Sequence, residues 1–192
     1  QDMVLGSYYL TYEKDPEHTA EEPYDDVAAV KAALAGGTIT PDSYIWVKNP
    51  GSLDDIPTYA GICVETEDGQ LPREVLHVFA DDTEARLAYD EGELELHVPI
   101  LVRRSAEVDG VTRHKLVRTT VGRLIFNEGI PQDLGFVDRN DPEQMFDPEV
   151  NFIVGKKQLG KIIDKCITKH GFNFSAGVLD TIKNRGYKFS TR

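Results

Sequence analysis

The chain has 192 residues, 40% of them hydrophobic and 28% charged, the composition of a globular protein large enough to bury a core. Thirty-three acidic against 21 basic residues leave a formal charge of −12, which excludes non-specific wrapping of nucleic acid or adhesion to an anionic membrane by the chain as a whole. No apolar run approaches the roughly 20 residues of a membrane helix, and two isolated cysteines, Cys63 and Cys166, suggest neither a disulfide framework nor a zinc site. A reducing cytoplasm is expected. A chain that begins at Gln1 and ends at Arg192 directly after an apolar stretch is expected to be an excised segment.

In chain order, Met3 to Gly6 can start a helix or a strand, and Tyr8-Tyr9-Leu10-Thr11 favours strand through its aromatic and β-branched residues. Tyr12 to Pro23 is acidic and Pro-broken, an exposed loop. Asp25 or Asp26 can cap a helix over Val27 to Ala35 that stops at Gly36-Gly37, and Tyr44 to Val47 and Ile62 to Val64 read as short strands. Val78-Phe79, a helix over Thr83 to Tyr89, Gly92 and a strand over Leu94 to Val102 repeat that grammar. At an offset near 56, Asp26/Asp82, Ala29/Ala85, Ala32/Ala88 and Gly36/Gly92 coincide, and Ile45 to Val47 meets Ile100 to Val102 at 55. Either the unit is duplicated or two capped helices, each followed by glycine and a strand, simply look alike.

Leu116 to Phe126 reads as strand with Gly122 at a turn or bulge, and Asn127 to Glu149 as a long polar connector. Leu159, Ile162, Ile163, Cys166, Ile167 and His170 then fall on one helix face, with five lysines on the others. Ser175 can cap a second helix ending at Asn184-Arg185-Gly186, followed by a strand from Tyr187 to Ser190. Charge divides sharply: residues 1–150 carry a net −19 and residues 151–192 a net +7. The end is basic on an acidic body, which is either a solvated helix face or a docking surface.

The usual catalytic constellations are missing. Gly36-Gly37 follows a helix instead of opening one, the five histidines stand singly, and the adjacent acids Asp54-Asp55 and Asp81-Asp82 read as caps or loop residues sooner than as a magnesium site. Composition and spacing stop at an acidic α+β segment with a basic helical end.

Four stretches go further. Gln1-Asp2-Met3-Val4-Leu5-Gly6, Thr119-Thr120-Val121-Gly122-Arg123, Leu159-Gly160-Lys161-Ile162-Ile163 and Gly186-Tyr187-Lys188-Phe189-Ser190-Thr191, in this order, resemble the pore region of the bacterial DNA-directed RNA polymerase β′ subunit, as does Val78 to His97. The resemblance covers residues 1–11 and about 78–192. It implies part of a nucleotidyltransferase, lining the secondary channel through which nucleotides enter and transcript-cleavage factors reach the active centre. The aspartate loop that holds the catalytic Mg2+ in that family is absent here, so the ion belongs outside this segment and the isolated chain should be inactive. Implied partners are the β, α, ω and sigma subunits, template DNA and product RNA, and the cleavage factors, in the cytoplasm with the nucleoid and with no membrane.

Residue by residue, the resemblance puts Gln1 and Asp2 at the border of the active centre and Arg192 near the incoming triphosphate; no catalytic residue or metal ligand is implied in the segment itself. A cap role for Asp2 and a surface ion pair for Arg192 are the plainer alternatives, and Tyr187 and Phe189 read as packing instead of base stacking. The chain departs from the family between Tyr12 and about His77, so the expected division is residues 1–11 as the start of the pore domain, 12–77 as an inserted lobe and 78–192 as the remainder.

The competing reading is a free-standing nucleic-acid-binding regulator in which Lys161 to Arg185 forms a helix-turn-helix-like element. The apolar turn His170 to Phe174 argues for a buried corner and against it. The fold expected on either reading is α+β: short, mostly antiparallel strands, a C-terminal pair of helices and a small inserted α+β lobe. Excision should also leave apolar surface around Met3 to Leu5 and Tyr187 to Phe189, which favours self-association.

Overall fold

The structure, a computed structural model, describes residues 2–14, 22–41, 43–48, 55–62 and 76–190, and of Pro57 and Ile62 the backbone alone. It is an α+β fold in two compact units, one formed by Gln1–Lys14 with His77–Arg192 and the other by Asp15–Leu76. Cys63, His18, Asp54, Gln1 and Arg192 lie outside the described residues.

The larger unit holds a three-stranded sheet of β3 (Val78–Phe79), β4 (Ile100–Val108) and β5 (Val111–Thr119), in that order. β3 runs parallel to β4, and β4 and β5 form an antiparallel hairpin with Ile100 opposite Thr119. Its two-residue turn is Asp109-Gly110, both at positive φ (51° and 79°), the backbone that Asp-Gly supplies for a tight hairpin. The nine-residue strands differ from the expected ones: 94–99 forms turns, and the strand starts at Ile100 and runs on through Arg103 and Arg104.

Five helices belong to this unit: α1 (Asp2–Thr11), α3 (Asp82–Asp90), α4 (Val121–Glu128), α5 (Lys156–His170) and α6 (Phe172–Ser190), α2 being in the smaller unit. Three of them correct the strand expectations. Tyr8 to Thr11 is the end of α1, whose Leu10 is completely buried among helices, so packing overrides the β preference of its tyrosines. Gly122 marks no bulge: β5 ends at Thr119, Thr120 accepts a hydrogen bond from the Arg123 amide at 3.2 Å as N-cap, and α4 follows, buried from Val121 to Asn127. Tyr187 to Ser190 continues α6 with no strand, and Ser175 lies inside that helix with its hydroxyl donating to the Gly171 carbonyl at 2.8 Å. The core joins Leu10, Ile100, Val102, Ile125, Phe126, Ile162 and Phe189. On α5, Leu159, Ile162 and Cys166 face it and the lysines at 156, 157, 161, 165 and 169 are exposed, as the periodicity required.

The polar connector after α4 is ordered by two buried side chains. Asn127 donates to the carbonyls of Arg123 and Val150 at 2.7 Å each and accepts from the Val150 amide at 2.9 Å. The Glu149 carboxylate, 1% exposed, accepts from the amides of Gly135 and Val137 at 3.1 and 3.0 Å.

The smaller unit has α2 (Val27–Ala35), capped by Asp26, and a hairpin of β1 (Tyr44–Val47) and β2 (Ile56–Tyr59) that ends in a 3-10 turn, Ala60–Ile62. β2 lies between the two expected strands, and of the strand expected over Ile62 to Val64 the first residue is in the 3-10 turn and the others lie outside the described residues. Val27, Val30, Ile39, Ile45, Val47 and Ala60 form its own core.

Candidate functional site

Two helices without side chains at their crossing define the site. A Cβ on Gly6 of α1 would sit 2.7 Å from the Gly186 Cα of α6, and one on Gly186 would sit 2.9 Å from the Gly6 Cα. Backbones this close leave the flanking side chains to wall a cleft of about 760 Å3, lined by Asp2, Leu5, Tyr9, Lys183, Asn184 and Tyr187. Asp2 is exposed in the first turn of α1, where the free amides and the helix dipole favour a negative charge. Of the expected site residues it alone is described, and it stands in the cleft.

The wall is mixed, with Leu5, Tyr9 and Tyr187 beside the charged Asp2 and Lys183. Leu5 is 68% exposed and Tyr187 74%, whereas Phe189 is 2% exposed and Met3 and Val4 pack partly against the core. Tyr187 and Phe189 therefore part company: one faces the cleft and the other is interior, with the Arg86 guanidinium 5.3 Å from its ring centre.

The far end of α1 is fixed by groups that the sequence left unassigned. Its last carbonyls point into protein and need donors. Arg123 Nε donates to the Thr11 carbonyl at 3.0 Å and Nη1 to the Asn151 carbonyl at 3.3 Å. His97 Nε2 lies 2.6 Å from the Tyr9 carbonyl, and the Val154 amide donates to the Thr11 hydroxyl at 2.7 Å. Burial pushes the Arg123 guanidinium below its usual range, and Glu13, 3.4 Å away and one residue past Tyr12, pulls it back up. Gly122 also has no room for a Cβ, which would strike the Leu10 carbonyl. The one visible signal was the arginine of Thr119-Thr120-Val121-Gly122-Arg123, a charge inside an otherwise apolar run.

Other candidates resolve into structure. Asp81 caps α3 by accepting from the Glu84 amide at 2.8 Å, and Asp82 lies 3.7 Å from Arg104. Among the described residues no three His, Cys, Asp or Glu side chains come together to hold a metal, and no helix is long and apolar enough to cross a membrane. The α5–α6 corner is open, with Phe172 74% and Phe174 52% exposed, so the expectation of a buried corner fails.

Residues 1–192 match the family model described as RNA polymerase Rpb1, domain 3. Similar curated proteins are each named DNA-directed RNA polymerase subunit beta'. That of Clostridium acetobutylicum is 44% identical over 191 residues, all of this chain and 12% of the relative, and that of Clostridium novyi 38% over the same span and share. That of Acetivibrio thermocellus is 58% identical over 115 residues, 60% of this chain and 10% of the relative. The chain spans about a tenth of the length of these relatives.

Proposed function

Because the chain belongs to the RNA polymerase Rpb1 domain 3 family, we propose that it works as a segment of the β′ subunit of a DNA-directed RNA polymerase, lining the secondary channel beside the active centre. The observation that carries this reading is the full-length family match together with the placement of Asp2 on a cleft whose helices are locked by backbone contact and buried hydrogen bonds. A rigid mount is what a wall beside a reacting centre needs, since misplacement by an ångström or so is costly to catalysis. In this role Gln1, Asp2 and Arg192 border the incoming nucleotide: the amide can hydrogen-bond ribose or phosphate, and the guanidinium can grip phosphate oxygens in a fork. Mg2+ is supplied from outside the segment, and the isolated chain makes no RNA. The exposed lysine face of α5 gives the channel wall a positive bias toward nucleotides or docks on acidic neighbouring subunits. Partners are then the β, α, ω and sigma subunits, the template and transcript, and cleavage factors entering by the channel, in the cytoplasm.

The test uses the assembled polymerase. Arg192→Ala in the full-length subunit should raise the KM for nucleotides several-fold with a smaller change in kcat, and Asp2→Ala should alter transcript cleavage by an added factor. Unchanged values for both would refute the channel reading. The competing regulator reading predicts that the segment alone shifts short duplex DNA in a salt-dependent way.

A further inference from the structure

We infer that residues 24–62 and 79–123 are two copies of one folding unit, and that the copy in the smaller unit has kept the residues that make the fold while losing those that tie the other copy to its helical neighbours. A capped helix followed by glycine and a strand is too common to carry this. What carries it is a constant offset of 55 through every local feature. Asp26 and Asp81 each accept an amide hydrogen bond at 2.8 Å from the residue three further on, and α2 and α3 both run nine residues. Gly37 and Gly92 follow with φ of 74° and 79°.

The long-range pairing repeats as well, and a generic motif does not require that. Tyr24 bridges Val47 in parallel, and Phe79 pairs with Val102 in parallel, again 55 apart at both positions. Across the hairpins Ile45 stands opposite Thr58 and Ile100 opposite Thr119. The second hairpin is longer by six residues, so the offset beyond it becomes 61. At that offset the Gly61 amide donates to the Pro41 carbonyl and the Gly122 amide to the Leu96 carbonyl, each at 3.0 Å. Neither glycine has space for a Cβ. Thr58 and Thr119 are both buried, with hydroxyls that make no hydrogen bond among the described residues. The offset of 56 suggested by sequence was one too many, because Asp81, and not Asp82, is the cap.

Among the differences are the residues through which the copy at 79–123 meets other helices. Arg86 and Tyr89, which reach Phe189 of α6, correspond to Lys31 and Leu34; Arg123, which holds α1, corresponds to Ile62. The smaller unit is thus a duplicate that lacks the side chains by which the other copy holds α1 and α6.

Peptide-resolved hydrogen exchange on the whole chain tests the equivalence. Asp26→Ala and Asp81→Ala should each speed exchange about fivefold in the helix that the aspartate caps. Thr58→Val and Thr119→Val should each leave exchange in their hairpin unchanged or slower, since both remove an unpaired buried hydroxyl. A split within either pair, one member felt and its counterpart silent, overturns the inference. So does an experimental structure in which Tyr24 is not parallel to Val47 or Ile45 is not opposite Thr58.

Discussion

Gly6→Ala is the sharpest test of how the cleft is built. In an exposed helix interior alanine is favoured over glycine by about 0.5–1 kcal/mol, so propensity alone makes the change stabilising. Here the new methyl would lie 2.7 Å from the Gly186 Cα and 3.0 Å from its carbonyl carbon. Both are backbone atoms and cannot rotate away, so α1 and α6 must separate, and overpacking of this kind costs about 1–3 kcal/mol. The net expectation is a loss of about 1–2 kcal/mol, or a fall in Tm of about 2–8 °C for a chain of this size. Gly160→Ala is the control: that glycine is exposed inside α5 with nothing within 4 Å of the new methyl, and the change should stabilise by about 0.5–1 kcal/mol. Far-UV circular dichroism is the right probe, because the change acts on the packing of two helices. If Gly6→Ala matches or exceeds the parent while Gly160→Ala rises, the helices are not held by backbone contact and the cleft is not rigid.

Arg123→Met should destabilise by about 3 kcal/mol in urea, since the Thr11 and Asn151 carbonyls lose their donor and Glu13 a cation, and Arg123→Lys should recover less than half because one ammonium cannot reach both carbonyls; a loss under about 1 kcal/mol would show that α1 is anchored otherwise. Glu149→Gln keeps the shape but sets an NH2 donor against one of the Gly135 and Val137 amides and leaves the other only a neutral acceptor, and should cost about 1–3 kcal/mol with faster proteolysis of the 128–150 connector; unchanged cleavage would refute its ordering role. Burial raises the Asp82 carboxyl above its usual 3.8, with Arg104 only partly opposing. A raised folded-state value contributes stability that is full below 3.8 and is lost as pH rises through the shifted value, so Asp82→Asn should flatten that decline in a stability–pH profile. An unaltered slope would assign the decline to other groups.

Helix existence was legible wherever a face repeated with the right period and an end carried a cap: α2, α3 and α5 all meet both conditions. Three errors share one cause. Tyr8 to Thr11, Val121 to Phe126 and Tyr187 to Ser190 are short, rich in aromatic or β-branched residues and punctuated by nearby glycine, which locally favours strand. Each is helical because of tertiary packing: α1 lies against α4 and α6, a relation between residues more than a hundred positions apart. The long hairpin was illegible for another reason: Arg103 to Lys115 is mostly polar, and its register is pinned by the short Asp109-Gly110 turn.

The same point explains why the four stretches carried the resemblance when composition could not. Gly6 from the first meets Gly186 from the last, while Gly122 and Arg123 from the second close on Leu10 and Thr11 at the other end of α1. Three of the four stretches therefore converge on one ten-residue helix whose first turn presents Asp2. At such a convergence a side chain is constrained by backbone on the opposite side, so glycine has no substitute and a fork of donors cannot be shortened to a point charge. The smaller unit shows the converse: the positions corresponding to Arg123 and Arg86 hold Ile62 and Lys31, while the caps, the turn glycines and the corresponding threonines stay. Which residues persist between the two copies thus separates what the unit needs in order to fold from what the mount of α1 demands in addition, and Arg123 belongs to the second set.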